Sequence, residues 1–302
     1  ALVFAAQSDA MPGFVPQLSL LVAFALVAIS VMVLVYFLNH IPSSIRINSV
    51  LKGIGARLLA DIEQRFPEPA RGEAEIDAPD GTPIMARGTG YVQVIEFDGL
   101  ESVAKAENGT IRLAVRPGDF VHPRLPLAFW ADKDLSEDLP DDDIRDCFAL
   151  GSMRTPNQDM QFLMDELVEI GLRALSPGIN DPFTAITALH WIGAATAEIG
   201  RRDLRKSYGE DKAVILLNDD FAHWVARGFG TIRSGVATNR IAAMVAFDAI
   251  GDAIMVMNDE VREALLKREA DQLIRQLREH LTGPELDLVE ARYQSFLMGL
   301  AD

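Results

Sequence analysis

The sequence predicts a membrane-anchored α+β protein, and three patterns carry this prediction. An uncharged apolar run occupies residues 18–38. Residues 91–97 and 111–115 alternate apolar with polar side chains, which is the pattern of half-buried strands. From about residue 155 onward, apolar residues recur at helical spacing. We therefore expect the C-terminal part of a helical membrane domain, then a small β-rich module, then an all-α helical domain.

The membrane region is predicted to comprise residues 1–40, and its one complete span is the run LSLLVAFALVAISVMVLVYFL at residues 18–38. A helix of this length measures about 31 Å, roughly the thickness of the hydrocarbon core. A buried core helix is the alternative, but core helices are usually shorter and interrupted. A cleavable signal peptide would need a charged start and a small-residue cleavage site, and the sequence has neither.

The charges on either side of the span predict its orientation. Residues 1–17 contain no Lys or Arg, whereas Arg46, Lys52 and Arg57 follow the span. Because such residues favour the cytoplasmic side, we expect the C-terminal bulk to lie in the cytoplasm, beneath a bacterial inner (plasma) membrane. Residues 1–6, ALVFAA, are interpreted as the end of an earlier transmembrane helix in a longer, multi-pass protein, with a processed N-terminus as the alternative.

Residues 42–66 are predicted to form a linker helix. Pro42 and two serines supply a helix start, and apolar residues then recur at helical spacing up to Phe66. Its polar side leaves two options, which are packing against a neighbouring helix and lying on the membrane surface; we expect packing against protein. The Pro-, Gly- and acid-rich run at residues 67–83 marks a domain boundary.

The β-rich module is assigned to residues 67–131. Between its two alternating segments, residues 98–108 predict a short helix that Asp98 caps. The run VRPGDFVHPRLPL, residues 115–127, resembles the half-motif of lipoyl and biotinyl-like barrel-sandwich domains, with a tight turn at Gly118. Carrier domains hold a Lys between two such halves, and no second half follows here. We therefore expect a barrel-sandwich-like structural module without an attached cofactor.

Residues 132–302 are assigned to an acidic segment and a helical cytoplasmic domain. Eight of the fifteen residues 132–146 are Asp or Glu, and we expect a solvated loop that leads into a helix, since the ligand spacing of a calcium loop is missing. Helices are predicted at residues 156–175, 182–199, 219–232, 237–257, 259–281 and 284–299, with a short extended piece at residues 213–217.

Composition argues against several classes of function. The formal net charge of −16 makes a nucleic-acid partner unfavourable, because affinity for nucleic acid depends on Lys and Arg. The negative charge would instead attract cations. The single cysteine, Cys147, excludes an internal disulfide and is expected to be a buried apolar residue. The five histidines lack metal-site spacing, and no nucleophile elbow, P-loop or dinucleotide-binding motif occurs. We therefore expect no cofactor and no enzyme activity.

Residues 151–191 hold the densest set of polar groups and supply the predicted ligand-binding residues. These residues are Arg154, Asp159, Arg173, Ser176, Asn180 and Asp181. In the functional interpretation, the helix N-terminus after Asp181 cradles an anion with the two arginines nearby. In the structural interpretation, the arginines hydrogen-bond to the turn and to Asp159, and Asp181 caps the next helix. A metal site of Asp159, Glu166 and Asp181 is the third option.

Four stretches resemble one family of bacterial proteins. They are RTPNQD at residues 154–159, LRALSPGINDPFTA at residues 172–185, VYFLNHIPSSIRI at residues 35–47 and the VRPGDFV turn at residues 115–121. The family consists of predicted integral membrane proteins catalogued as domain of unknown function 2254. The resemblance implies several transmembrane helices before a cytoplasmic domain, and it implies no established activity.

Two hypotheses for function follow. The first is a homo-oligomeric ion conduit or transport-related assembly in the lipid bilayer, whose acidic domain attracts cations. The second is a membrane-tethered sensory or scaffold module that binds a ligand or partner at the SPGINDP turn, residues 176–182. The basic run at residues 201–206 is expected to be a surface loop, with contact to anionic lipid headgroups as the alternative.

Overall fold

The structure, a computed structural model, describes residues 17–44, 47–70, 81–132, 139–205 and 213–299. The chain divides after Val50 into two compact units. The helix end predicted at residues 1–6 lies outside the described residues. Within the described ranges the fold is α+β, with one N-terminal apolar helix and two small sheets.

Helix α1, Gln17–Ser44, contains the predicted span. By length and composition its stretch Gln17–Tyr36 can cross a membrane, and none of that stretch is buried within the protein. Leu21, Phe24 and Leu34 are among the large apolar side chains that it exposes. Because apolar surface in water costs roughly 25 cal/mol per Å², a helix of this composition is stable where lipid or other helices cover it.

Helix α2, Ile47–Arg65, corresponds to the predicted linker helix, but the start predicted at Pro42 is wrong, because α1 extends to Ser44 and α2 begins at Ile47. From Leu51 onward it belongs to the second unit, and Leu51 and Ile62 are buried along one face. Gly55, also buried, lies against the indole ring of Trp191. The helix therefore packs against protein, as predicted.

The contact between Gly55 and Trp191 predicts opposite effects for two alanine substitutions in α2. A β-carbon on Gly55 would lie 2.2 Å from the Trp191 ring, so we expect Gly55→Ala to lower the free energy of unfolding by about 1 to 3 kcal/mol. A β-carbon on Gly53 would meet no atom within 4 Å, so Gly53→Ala is expected to raise it by about 0.5 to 1 kcal/mol. Chemical denaturation of the full chain in phosphatidylcholine nanodiscs measures both. Shifts of the same sign would contradict this packing.

Two small sheets form the β-rich part. Their strands are β1 (Thr82–Met85), β2 (Gly90–Ile95), β3 (Gly109–Leu113), β4 (Phe120–Val121), β5 (Pro126–Asp132), β6 (Phe148–Gly151) and β7 (Val214–Ile215). One sheet has the order β1-β5-β3-β7, and the other has the order β4-β2-β6. The pair of β3 with β7 is parallel, and the other described pairs are antiparallel. The buried side chains of both sheets share one apolar core.

The barrel-sandwich description is not confirmed, because the sheets draw strands from distant parts of the chain. β6 and β7 lie in the stretch assigned to the helical domain, yet β6 pairs with β2 and β7 pairs with β3, where Ile111 lies opposite Val214. Strands of two to four residues carry too little alternation to predict such pairing. The tight turn lies where predicted, since Gly118 has a φ of +95°.

Helix α3, Phe97–Ala106, lies between β2 and β3. The predicted cap by Asp98 is wrong, because the N-cap position is Glu96 and no side chain makes a capping hydrogen bond there. Asp98 lies in the first turn instead, where a carboxylate interacts favourably with the helix dipole. Asn108, just beyond the helix, has a φ of +50° and marks its end as predicted.

The rest of the second unit is helical and has its own apolar core. Its helices are α4 (Asp141–Asp146), α5 (Met160–Leu175), α6 (Pro182–Gly200), α7 (Phe221–Val225), α8 (Thr231–Val236), α9 (Arg240–Met255), α10 (Glu260–His280) and α11 (Pro284–Gly299). The helix predicted at residues 219–232 is interrupted, because the π-helix Ala226–Gly230 lies between α7 and α8. Its sequence ARGFG contains two glycines, which weaken regular α-helix.

Side-chain caps begin five of these helices. The capping residues are Asp159, Asp181, Asp220, Asn239 and Asp259. Each such cap satisfies backbone N–H groups of the first turn and contributes about 1 kcal/mol. The start predicted at residue 156 is wrong, because α5 begins only after Asp159. The start of α6 after Asp181 is confirmed.

Candidate functional site

Helix α5 separates the six predicted ligand-binding residues into two groups. Arg154 and Asp159 precede the helix body, whereas the other four lie at or beyond its C-terminal end. From residue 159 to residue 173 the helix rises about 21 Å, at 1.5 Å per residue. The structure therefore brings together the members of each group, but it does not bring the two groups together.

The first group belongs to a network of ion pairs at the start of α5. Arg154 Nε donates to Asp159 Oδ2 at 2.7 Å, and the same guanidinium pairs with Asp165. Asp165 also accepts from Arg227 of the π-helix, whose Nε lies 2.6 Å from Oδ1. Asp159 caps the helix by accepting from Phe162 N at 3.0 Å. Two arginines and two carboxylates thus compensate one another, and they tie α5 to the π-helix.

Burial dominates the electrostatics of Asp159. The side chain is almost fully buried, and loss of solvent raises the pKa of its carboxyl above the usual value. The ion pair and hydrogen bond with Arg154 lower the pKa, but burial outweighs them. The ionised carboxyl is therefore less favourable here than in water, because desolvation exceeds the gain from the ion pair.

The stretch RTPNQD, residues 154–159, also joins the helices to the sheets. Gln158 bonds to β2 in both directions, since its Oε1 accepts from Ile95 N at 2.8 Å and its Nε2 donates to Ile95 O at 3.1 Å. From α2, Arg57 donates to Pro156 O at 2.8 Å. These contacts make the stretch a structural joint, in which Arg154, Gln158 and Asp159 have side-chain partners within the protein.

The second group closes a turn with its own hydrogen bonds. Ser176 Oγ donates to Arg173 O at 2.7 Å. Asn180 has a φ of +46°, the left-handed conformation that Asn tolerates. The guanidinium of Arg173 pairs with Glu169 on its own helix, and both side chains are exposed. Arg173 thus does not hydrogen-bond the turn through its side chain, contrary to the structural interpretation, and anion binding by this group stays a prediction.

Asp181 caps α6 as the structural interpretation predicted. Its Oδ1 accepts from Thr184 N at 3.2 Å, and its Oδ2 accepts from Thr184 Oγ1 at 2.6 Å. The Thr184 hydroxyl is the main cause that holds the pKa of the Asp181 carboxyl below its usual range, and the backbone N–H adds to it. Both oxygens are therefore engaged within the helix start.

The lowered pKa of Asp181 predicts how the cap responds to pH. Between the lowered pKa and about pH 4, the unfolded chain binds more protons than the folded chain, so stability falls as the pH falls. We expect Asp181→Ala to lower the free energy of unfolding by about 1 kcal/mol at neutral pH and to flatten its pH dependence below about pH 4, whereas Asp181→Asn retains most of the cap. Urea denaturation of the full chain across this pH range measures both. An alanine variant with the parent's acid profile would contradict the assignment.

The proposed metal ligands do not converge. Asp159 and Asp181 lie at opposite ends of α5, with Glu166 on the helix between them. In the part of the chain that the structure describes, no three His, Cys, Asp or Glu side chains are grouped closely enough to hold a metal ion. The third option is therefore not supported at these residues.

The described part of the basic run, residues 201–205, makes contacts within the fold. Arg201 pairs with Glu68 at 2.7 Å, and Arg202 pairs with Glu198 of α6. Arg202 also donates to the carbonyl oxygen of Phe66, the residue that follows α2, at 2.8 Å. These bonds hold the end of α6 to the segment after α2, so the first two arginines of the run have a structural role.

A cleft of about 570 Å³ lies between the end of α2, the loop after β3 and the segment after β7. It combines apolar side chains with three arginines. The lining residues are Arg65, Pro67, Phe97, Leu113, Val115, Arg116, Pro117, Gln158, Arg205, Leu216 and Leu217. The volume is within the range of small-molecule sites, roughly 300–1,000 Å³. The cleft is therefore the candidate functional site.

The three arginines of the cleft differ in their charge partners. Arg205 pairs with Asp203 at 2.7 Å. Arg116 Nε lies 3.6 Å from Asp219 Oδ1, an ion pair too long for a hydrogen bond. Arg65 donates to two backbone carbonyl oxygens, the nearer at 2.6 Å, and it pairs with no carboxylate among the described residues. Among the described residues, Arg65 is therefore the arginine of the cleft that lacks a carboxylate partner, in a chain whose net charge is −16.

Two other cavities differ from the cleft in their lining or in their volume. One of about 520 Å³ adjoins the cleft at Leu113, Val115 and Leu217, and its lining is mostly apolar. Another, beside Arg233 and Glu269, measures about 10 Å³, which is room for about one water molecule. Of the three, the cleft has both the volume for an organic ligand and an arginine that pairs with no carboxylate in the described part of the chain.

The cleft could not be predicted from the sequence. Its arginines lie in three separate segments of the chain, at residues 65, 116 and 205, and no motif or spacing connects them. The nearest signal was the extended piece predicted at residues 213–217, which contains two of the lining leucines. The pattern at residues 213–217 predicts a strand but not the strand with which it pairs. The side of the cleft that this segment forms with β3 could therefore not be predicted.

Comparisons with known proteins indicate a family but no activity. A family model described as predicted membrane protein, domain of unknown function 2254, matches residues 1–252. Two curated relatives, uncharacterized proteins of Mycobacterium tuberculosis and Mycobacterium bovis, are each 30% identical over 214 residues. The match covers 68% of this chain and 41% of each relative. No solved structure matches this chain significantly.

Proposed function

We propose that this chain, which belongs to the family of predicted membrane proteins described as domain of unknown function 2254, is a membrane-anchored ligand-binding module. The family match confirms the resemblance predicted from the sequence. One observation carries the functional proposal, namely the cleft of about 570 Å³ in which Arg65 has carbonyl partners and no carboxylate among the described residues. The proposed site is the cleft rather than the SPGINDP turn.

The lining of the cleft supports the binding of an organic ligand. Covering its apolar side chains removes surface from water, which is favourable by roughly 25 cal/mol per Å². Its arginine donors can orient a polar group of the ligand. The SPGINDP turn offers less, because Ser176 and Asp181 already use their side-chain oxygens in hydrogen bonds within the turn and the next helix.

A substitution that fills the cleft tests this function. Leu217→Trp places an indole in the lining, and Leu288→Trp makes the same change at an exposed position of α11. We would screen the full chain in phosphatidylcholine nanodiscs against a metabolite library by thermal shift. At least one compound is expected to stabilise the parent and Leu288→Trp but not Leu217→Trp. The proposal would be rejected if every hit stabilised all three chains equally. It would also be rejected if no anionic, neutral or cationic compound of the library stabilised the parent.

The homo-oligomeric ion conduit predicted from the sequence is a second proposal. Helix α1 carries no charged side chain between Gln17 and Tyr36, so a pore lining would have to come from other helices. Attraction of cations by the net charge of −16 belongs to this proposal. Reconstituted full-length protein that conducts no ion under any salt or voltage would reject it, and particles with an axial hole would support it.

We further propose that the second unit lies in the cytoplasm beneath the inner membrane, because basic residues follow the span. The exposed position Glu279 allows a test, since the native Cys147 is buried and reacts poorly. A membrane-impermeant maleimide is expected to label Glu279→Cys only after the inner membrane is permeabilised. The parent chain reports background labelling. Labelling of the variant in intact spheroplasts would place the unit outside.

A further inference from the structure

We infer that the cleft binds a single-chain amphiphilic anion, a molecule with one carboxylate or phosphate group and an apolar chain. The inference rests on the proposed ligand-binding function and adds the chemical class of the ligand. It follows from two features of the lining, which are the guanidinium of Arg65, without a carboxylate partner among the described residues, and the apolar surface shared with the adjoining cavity.

The anionic group is assigned to Arg65. A guanidinium presents five N–H donors in a planar fork. In Arg65, Nη1 donates to Gln158 O at 2.6 Å and Nη2 donates to Asn157 O at 3.5 Å. Backbone carbonyls accept hydrogen bonds but carry no net charge, so the described residues supply no counter-ion. A carboxylate or phosphate would supply both the opposite charge and further acceptor oxygens.

The other two arginines limit the ligand to about one anionic group. Arg116 lies beside Asp219, a buried carboxylate, and Arg205 is paired with Asp203. A second anionic group placed at either arginine would meet a like charge, which is unfavourable. We therefore exclude ligands such as nucleoside triphosphates, in which several charged groups would have to be accommodated together.

The apolar chain is assigned to the surface that the two cavities share. Leu113, Val115 and Leu217 line both the cleft and the adjoining cavity of about 520 Å³. The adjoining cavity adds Phe120 and Leu125, which are 52% and 38% exposed. An apolar chain laid along these side chains would remove them from water, which is the main favourable term in such binding.

Simpler ligands satisfy only one of the two features. Inorganic phosphate would neutralise Arg65 but would leave the apolar lining in contact with water. A neutral apolar molecule would cover the lining but would exclude water from a guanidinium without compensating its charge, which is costly. An amphiphilic anion satisfies both, and this is why we prefer it.

The probe for the test is 11-(dansylamino)undecanoic acid, a fluorescent carboxylate with an apolar chain. The full chain is placed in phosphatidylcholine nanodiscs, and empty nanodiscs report partition of the probe into lipid. We expect saturable binding to the parent in excess of this background. We expect Arg65→Gln to weaken binding by at least about tenfold, because a charge-assisted hydrogen bond is lost. Arg65→Lys, which keeps the charge, is expected to weaken it less.

Two controls separate loss of the site from loss of the fold. Arg268→Gln makes the same change at an exposed position of α10 and is expected to leave the affinity unchanged. Thermal denaturation of every variant shows whether it is folded. If Arg65→Gln and Arg65→Lys are both unfolded, the test compares binding of the probe and of its methyl ester to the parent chain. The ester is expected to bind at least about tenfold more weakly than the acid.

The outcomes distinguish this inference from the proposed function. If the ester binds as tightly as the acid and Leu217→Trp abolishes both, the ligand class is wrong and the cleft remains a binding site. Displacement of the probe by inorganic phosphate at equal concentration would likewise reject the amphiphile in favour of a small anion. If Leu217→Trp leaves binding of the probe unchanged, the cleft is not the site and both proposals fail there. If binding of the probe to the parent does not exceed the background from empty nanodiscs, the proposed ligand class is wrong. The library screen then decides whether the cleft binds any ligand.

Discussion

Arg262→Met is expected to lower the free energy of unfolding of the second unit by about 2 to 4 kcal/mol, which is a large fraction of the stability of an ordinary domain. The side chain of Arg262 is 1% exposed, although arginine is rarely buried. Its Nη1 donates to Gly200 O at 3.0 Å and to Arg202 O at 2.8 Å. Gly200 O is the last carbonyl of α6, where no further helical N–H is available, and Arg202 O lies two residues beyond the helix.

Further contacts place the charge of Arg262 where it is favourable. The C-terminal end of a helix carries partial negative charge, which a cation stabilises. The guanidinium also lies 5.4 Å from the ring centroid of Phe221 and 3.7 Å from a carboxylate oxygen of Asp259. Methionine fills a similar volume but leaves the carbonyls at the end of α6 buried without this donor, and each lost partner costs about 1 to 3 kcal/mol.

The matched control for this prediction is Arg268→Met, on the same helix. Arg268 is exposed, so we expect a change within about 0.5 kcal/mol. Urea denaturation of the full chain in phosphatidylcholine nanodiscs, followed by tryptophan fluorescence, measures both variants. Similar midpoints for the two would show that Arg262 does not hold the end of α6.

Gly118→Ala is expected to lower the free energy of unfolding by about 3 kcal/mol, the second large effect. Gly118 has a φ of +95°, which residues with a β-carbon adopt only at a cost. An added β-carbon would lie 2.0 Å from Asp159 Oδ2. Asp159 cannot move away without loss of the cap of α5 and of its ion pair with Arg154. The substitution therefore disturbs the joint between the sheets and the helices.

A double-variant cycle separates the two causes. In the background Asp159→Ala the contact is absent and only the backbone strain at Gly118 remains, so the two substitutions together should cost at least about 1 kcal/mol less than their sum. Gly178→Ala is the control, because its added β-carbon would meet no atom within 4 Å. Strict additivity in the cycle would mean that the turn at Gly118 and the start of α5 are not in contact.

Some polar contacts near the candidate site could be predicted from neighbouring residues in the sequence, whereas the cleft itself could not. The sequence identified Asp181 as a helix cap, and the structure confirms it, because a cap depends on residues three positions apart. It also placed Arg154 beside Asp159, five residues away. Arg65 was not singled out as a site residue, because its cleft is assembled from segments that meet only in the folded chain.

The sequence by itself determined the features that depend on local interactions. The span at Gln17–Tyr36 follows from length and composition. The helices from α5 to α11 lie close to their predicted positions, apart from the π-helix that interrupts one of them, because apolar periodicity and caps act within a few residues. Family membership was likewise legible in short motifs such as RTPNQD and LRALSPGINDP.

Only the tertiary structure decided the pairing of β3 with β7, the separation of the six predicted site residues and the existence of the cleft. Each of these depends on contacts between residues far apart in the chain, such as the bond from Arg57 to Pro156, 99 residues away. Spacing along the sequence reports which residues share a helix face or a strand face. It does not report which faces meet, because that is decided by how whole elements pack to bury their apolar surfaces.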